Sequence, residues 1–196
     1  MTGDTDTVLV AADDSAVVDR LRSWLVADYQ VPTTTDGDEA LALFEDADAV
    51  VIDHDLRAAS GAVVAAEIDC QTTAQTVAVL RDDHHDPNYH PTAGESLSKP
   101  VDKATFLETV DKLLRRARYD ELIAECTSLA TKHGALETDD DHDAAEDRET
   151  VQQQLEAVFS ELDELVGSFD GDDFRAAFVT CELGTPTQPQ CAREQS

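Results

Sequence analysis

Short apolar runs alternate with helix-like spacing over the first 118 residues. Apolar runs predict strands at residues 7–12, 49–52 and 76–80, and more polar segments predict a weak strand at 30–34 and a short one at 95–98. Helical spacing or capping residues predict helices from Val17 to Leu25, after Asp36-Gly37, from Ser60-Gly61 to Glu67, and from Phe106 to Leu114. Strands that alternate with helices predict an α/β fold with a five-stranded, doubly wound parallel sheet.

From residue 119 onward the apolar residues recur in alternating steps of three and four, the spacing of a coiled-coil seam. One seam consists of Tyr119, Leu122, Cys126, Leu129, His133 and Leu136, and another of Val151, Leu155, Val158, Leu162, Leu165 and Phe169. The acidic residues 137–148 separate them, which predicts a coiled-coil-like α-helical hairpin. The predicted domains are 1–118 for the sheet, 119–170 for the hairpin, and 171–196 for a short helix and a disordered tail.

Polar residues follow three of the predicted strands. Asp13 follows the first strand, Asp53 the third and Lys99 the fifth. Functional groups in open α/β sheets gather beyond the carboxyl ends of the strands, so we expect two carboxylates and one ammonium group to meet at one edge. The alternative interpretation of Asp53 is a plain strand-ending aspartate that caps the next turn.

The chain carries 43 acidic and 14 basic residues, a formal net charge of −29, and the acids are spread along its whole length. Such self-repulsion needs salt to screen it, which indicates the halophilic cytoplasm of a salt-accumulating archaeon. The charge argues against direct nucleic acid binding, because phosphates would be repelled. We expect no membrane span and a cytoplasmic location. The four cysteines show no paired spacing, so we expect them to be reduced thiols.

Residues 7–118 resemble the receiver domain of two-component response regulators, a CheY-like fold. The resemblance rests on Asp13, on Asp53 with Ser60-Gly61 downstream, and on the pair Lys99-Pro100. It implies a signalling protein with at most self-dephosphorylating activity, in which a histidine kinase transfers a phosphoryl group to Asp53. It further implies that Lys99 pairs with Asp53 and then with the phosphoryl group.

The same resemblance implies a Mg²⁺ cofactor, which prefers oxygen ligands. The carboxylates of Asp13 and Asp53 and the backbone carbonyl of Asp55 would supply those oxygens, and Asp14 is an alternative ligand. Receivers normally have two acids after the first strand, whereas the first of these positions is Ala12 here.

Three further positions depart from the receiver pattern. Arg57 replaces a usual proline, Arg81 the usual hydroxyl residue at the end of the fourth strand, and Ser96 the usual aromatic switch residue. Arg81 could bind a phosphoryl group bidentately, or it could form a permanent ion pair with Asp53 that imitates the switched state. The alternative function is therefore a degenerate pseudo-receiver that acts as a phosphorylation-independent protein-interaction scaffold.

A second resemblance, to the HalX domain attached to receivers in haloarchaea, covers roughly residues 115–170. It rests on Arg115-Arg116-Ala117-Arg118-Tyr119-Asp120-Glu121-Leu122, with Lys132 and Leu136-Glu137 downstream. It implies that the helical hairpin is the output module of the phosphorelay, with transcriptional control as the output. We also expect a homodimer through the last receiver helix and the hairpin.

Two local patterns suggest other chemistry. Asp53-His54-Asp55 matches the Asp-x-Asp motif of haloacid-dehalogenase-like phosphatases, in which the second aspartate is the acid and base, although that motif normally ends the first strand. A small phosphatase is therefore a further alternative function. The segment Asp82-Asp83-His84-His85-Asp86, with His90, could ligate a metal, but an acidic surface loop explains it equally.

The charge balance predicts that folding depends on salt. In dilute buffer the fold should be lost and in molar KCl regained, because molar salt shortens the Debye length to about 3 Å and screens the repulsion between acids. Circular dichroism along a KCl titration measures this. Full helical signal in dilute buffer would contradict the halophilic interpretation.

Overall fold

The structure is a computed structural model that describes residues 5–71, 76–82, 94–137, 143–171 and 174. These residues divide into two compact units between Ala117 and Arg118, here called the sheet unit and the hairpin unit. Within the described ranges, none of the helices has the length and apolar character needed to cross a membrane.

Five parallel strands form the sheet: β1 (Val8–Ala11), β2 (Thr33–Thr34), β3 (Ala49–Asp53), β4 (Val77–Asp82) and β5 (Glu95–Lys99). Their order across the sheet is β2-β1-β3-β4-β5, which confirms the predicted fold class. The short strand β2 lies at an edge of the sheet, where Pro32 just before it is tolerated because proline has no N–H for a neighbouring strand.

The helices are α1 (Ser15–Leu25), α2 (Gly37–Leu43), α3 (Val64–Gln71), α4 (Lys103–Glu137) and α5 (Asp143–Val166), with a 3-10 turn at Phe44–Asp46. Helix α3 begins later than the predicted start at Ser60-Gly61. Arg57 and Val63 first form an antiparallel bridge, and Gly61 turns the chain with a φ of 86°. Residues 83–93, which hold most of the segment predicted to ligate metal, lie outside the described residues.

Both faces of the sheet are buried, which explains the successive apolar residues in its strands. One core cluster joins the sheet to α1 and α4 and includes Val8, Val10, Leu21, Val51, Leu80, Phe106 and Leu113. The other joins it to α2 and α3 and includes Leu9, Ala11, Ala40, Ile52, Ile68 and Val79. Since neighbouring residues of a strand point to opposite faces, polar side chains are tolerated mainly at strand ends.

Aspartate side chains cap three of the helices. Asp14 accepts a hydrogen bond from the N–H of Ala16 at the start of α1, at 2.8 Å. Asp36 and Asp102 accept two N–H groups each at the starts of α2 and α4, at 2.9 to 3.2 Å. Each cap satisfies backbone donors that the first helical turn leaves without an intrahelical partner.

The hairpin unit spans Arg118–Arg175 and so contains the part of α4 after Ala117 and helix α5. Leu122, Val158 and Leu162 are buried at its centre, surrounded by Tyr119, Cys126, Leu129 and Leu165. All belong to the two predicted seams, so the pairing of the seams is confirmed. The predicted break at residues 137–148 is too long, because α5 already begins at Asp143. Acidic residues suit the first turn of a helix, where its dipole is positive.

Phe106 provides a test of the packing between α4 and the sheet. It is fully buried, and its ring lies 5.6 Å from that of Trp24 in an edge-on contact. Phe106→Ala should lower the free energy of unfolding by about 3–5 kcal/mol, because it leaves a cavity in the core. Denaturant unfolding in molar KCl measures this.

The matched control is Val26→Ala, since Val26 is 56% exposed. It should change the free energy of unfolding by less than about 0.5 kcal/mol. Equal losses in the two variants would contradict the placement of Phe106 in the core.

Candidate functional site

An ion pair joins the ends of two strands. Asp53 is the last residue of β3 and is fully buried, and Lys99 is the last residue of β5. The Lys99 ammonium donates a hydrogen bond to Asp53 Oδ2 over 2.5 Å. A buried carboxylate is costly unless an opposite charge and hydrogen bonds compensate it, and Lys99 provides both.

The second oxygen of the Asp53 carboxylate is held by the backbone of the following turn. Asp53 Oδ1 accepts a hydrogen bond from the N–H of Asp55 at 3.1 Å. The N–H of Leu56 binds the backbone carbonyl of Asp53 at 3.2 Å, which closes the turn. Donors on both oxygens therefore fix the orientation of the carboxylate.

The charge of Lys99 depends on several opposing effects. Partial burial by itself lowers the pKa of the ammonium group, because water stabilises the charged form. The hydrogen bond from Lys99 to Asp53 and the negative charges of Asp53, Asp82 and Asp13 outweigh burial, so the pKa is raised above its ordinary value. Lys99 therefore stays protonated well above neutral pH.

The loop after β3 is fastened to the start of α2. The carboxylate of Asp38 accepts the N–H of Ala59 at 3.1 Å. At Gly37 the backbones are so close that a Cβ atom would lie 2.3 Å from the carbonyl oxygen of Arg57. Arg57 itself donates a hydrogen bond to the carbonyl of Gly61 at 3.3 Å. These contacts hold the loop in the absence of the proline usual at position 57, and sequence analysis did not foresee them.

The residues predicted to bind a cation contribute only oxygen atoms. Asp13 lies in the bend after β1 with an exposed side chain, close enough to act on Lys99, and Asp55 is half-buried. Asp14 caps α1. In the part of the chain that the structure describes, no three or more His, Cys, Asp or Glu side chains group as a metal site. Two carboxylates and one carbonyl fit Mg²⁺, which often keeps several water ligands.

Arg81 and Ser96 lie on the two strands beyond β3. Arg81 is half-buried near the end of β4, in register with Ser98, and Ser96 is exposed in β5. In this structure Asp53 forms an ion pair with Lys99. The permanent ion pair between Arg81 and Asp53 considered from the sequence stays a prediction.

Strand β4 runs two residues past its predicted end at residue 80, so that Asp82 is its last residue. Asp82 is in register with Lys99. Sequence analysis assigned Asp82 to the polar loop because the apolar run ends at Leu80. The position of Lys99 could have indicated the longer strand, because a fifth strand that reaches Lys99 needs an equally long fourth strand to pair with.

Solved structures with the fold of the sheet unit are receiver domains. A signal receiver domain from Vibrio parahaemolyticus is 19% identical with a TM-score of 0.53, covering 60% of this chain and 96% of its own. That of an HD domain-containing protein from Pseudomonas fluorescens is 20% identical with a TM-score of 0.51, covering 62% and 95%. The receiver domain of Francisella response regulator 1452 is 23% identical with a TM-score of 0.50, covering 57% and 98%.

One curated relative comes from a haloarchaeon and matches most of the chain. This Haloferax volcanii protein, which carries the name of a transcriptional regulator, is 29% identical over an alignment of 163 residues that covers 79% of this chain. The chain spans about a quarter, 27%, of the length of that curated relative. Residues 115–178 match the HalX domain family. The chain therefore combines an N-terminal part that has the fold of response regulator receivers with a segment, residues 115–178, that matches the HalX domain family.

Proposed function

We propose that this protein is a two-component response regulator that accepts a phosphoryl group on Asp53. The observation that carries the proposal is the buried Asp53 carboxylate, paired with Lys99 at the carboxyl end of a receiver-type sheet. The Haloferax relative, which carries the name of a transcriptional regulator, supports the same class of function. The donor is a histidine kinase, and the output passes through the HalX domain to transcriptional control.

Phosphoryl transfer uses the carboxylate of Asp53 as the nucleophile. A bond forms between its oxygen and phosphorus while the bond from phosphorus to the nitrogen of the donor histidine breaks. The leaving imidazole takes the bonding electron pair. Lys99, which neutralises the carboxylate before transfer, then neutralises an oxygen of the acyl phosphate.

The oxygen atoms of Asp13 and Asp53 and the backbone carbonyl of Asp55 would hold Mg²⁺, with Asp14 as the alternative ligand. When bound, Mg²⁺ supplies positive charge that offsets the charge of the phosphoryl oxygens during transfer. The carboxylate of Asp14 accepts the N–H of Ala16, so Asp13 is the better candidate of the two.

The proposal also includes how the chain is organised and located. A cytoplasmic receiver domain over residues 1–118 would act on a HalX hairpin over 119–170, with homodimers forming through the last receiver helix and the hairpin. The net charge of −29 favours an output through protein partners over direct contact with nucleic acid.

A pseudo-receiver scaffold is the second candidate function. Arg81 and the exposed Ser96, at the positions of the usual switch residues, favour it, because the relay that follows phosphorylation would lack its hydroxyl and its aromatic ring. The Asp-x-Asp phosphatase has less support, since Asp53 ends the third strand of a sheet with the receiver fold.

Intact mass spectrometry tests the acceptor. With acetyl phosphate and Mg²⁺ in molar KCl, the wild-type chain should gain the mass of a phosphoryl group. Asp53→Asn should gain nothing, because the amide is not a nucleophile toward phosphorus. Asp19→Asn, which changes an exposed acid on α1, is the charge-matched control and should react like the wild type.

Circular dichroism in the same buffer must show that each variant is folded. A folded wild-type chain that gains no mass would overturn phosphorylation and favour the scaffold. A gain retained by Asp53→Asn would assign the phosphoryl group to another residue.

Arg81 has opposite expected effects under the two candidate functions. If its guanidinium binds the phosphoryl oxygens, Arg81→Ala should lower the yield of acyl phosphate by tenfold or more, the scale of a lost charge-assisted hydrogen bond. Arg81→Lys should recover part of the yield, because it keeps the charge without the bidentate geometry.

The measurement is the phosphorylated fraction at one fixed concentration of acetyl phosphate. A higher yield for Arg81→Ala than for the wild type would instead identify Arg81 as a residue that blocks the site.

A further inference from the structure

The side chain of Lys99 must cross a neighbouring strand to reach Asp53. In the sheet, β4 lies between β3 and β5, so the strands that carry Asp53 and Lys99 are about 10 Å apart. The residue of β4 in register with Lys99 is Asp82. The ammonium group that pairs with Asp53 therefore extends over the strand end that carries a second carboxylate.

Alternation along the strands puts the three charged residues on one face of the sheet. Two positions before Asp53, Asp82 and Lys99 lie residues that share one core cluster: Val51, Leu80 and Leu97. The negative charge of Asp82 acts on Lys99, in the same direction as the charge of Asp53. Asp82 and Asp53 thus attract the same cation.

The two carboxylates differ in their exposure to water. Asp53 is fully buried, and both of its oxygens accept hydrogen bonds, whereas Asp82 is exposed at the open end of β4. Water stabilises an exposed carboxylate, so Asp82 does not need Lys99 as a partner in the way that the buried Asp53 does. An anionic donor that approaches Asp53 would meet this charge at the edge of the site.

We propose that Asp82 is a positioning residue that restrains phosphorylation of Asp53 by competing for Lys99 and repelling the incoming phosphoryl group. This inference rests on the proposed function of Asp53. The acyl phosphate carries new negative charge that Lys99 would offset, whereas the negative charge of Asp82 attracts Lys99 and repels the phosphoryl group. Asp82 touches no reacting atom and acts through Lys99 and through the field at the site.

The test is the rate at which Asp82→Asn is phosphorylated by acetyl phosphate with Mg²⁺, followed by intact mass, at the lowest KCl concentration that keeps the chain folded. Removing one negative charge from the edge of the site should raise the rate by up to about twofold there, and by less in molar KCl, because salt screens an exposed charge. Asp82→Glu, which keeps the charge, should react like the wild type. Asp19→Asn, with the same loss of one charge on the exposed surface of α1, should also be unchanged.

A second phosphodonor separates charge from local structure. Phosphoramidate carries less negative charge than acetyl phosphate at neutral pH, so the gain from Asp82→Asn should be smaller with phosphoramidate. A change in local structure would alter the rates with both donors by the same factor.

The outcomes are distinguishable. Equal or slower phosphorylation of Asp82→Asn, in a series where Asp53→Asn abolishes the reaction, would overturn the role of Asp82 and leave the proposed function intact. The same gain with both donors would overturn repulsion of the incoming phosphoryl group, because repulsion scales with the charge of the donor. If the folded wild type accepts no phosphoryl group, the proposed function fails and the role of Asp82 fails with it.

Discussion

Burial of the sheet on both faces is the constraint on which the rest of the sheet unit depends. Every side chain inside β1 and β3 points into one of two apolar cores, so these strands consist of apolar residues up to their last position. In β1 and β3 a polar side chain occurs only at the end of a strand, at Asp53. The carboxyl ends of parallel strands share one edge, so acids and a lysine that are far apart in the chain come together there.

The ion pair between Asp53 and Lys99 is where burial of the sheet has its largest energetic cost, because it places a carboxylate inside the protein. Asp53 has no access to water, and a charge in that position needs a compensating one. The pKa of Lys99 is higher in the folded chain than the ordinary value of 10.5, so the pair contributes fully below that value. Its contribution is lost only as the pH rises through the raised pKa, and it is therefore intact at any physiological pH.

The acidic composition is also used locally within the fold. Asp14, Asp36 and Asp102 cap helices. Two arginines pair with acids: Arg116 lies 2.9 Å from Glu95, and Arg118 lies 2.6 Å from Glu161. Many of the other acids have exposed side chains, where salt screens their charge.

The sequence by itself determined the features that follow from local periodicity. The five strands, the apolar seams of the hairpin and the placement of Asp53 and Lys99 at strand ends are visible in the spacing of apolar residues, because burial imposes that spacing on each element separately. Tertiary structure decided what depends on neighbours in space. Strand β4 extends to Asp82 because β5 pairs with it. Helix α3 begins only at Val64 because Arg57 and Val63 first form a β-bridge. The side chain of Lys99 reaches Asp53 only by crossing the end of β4.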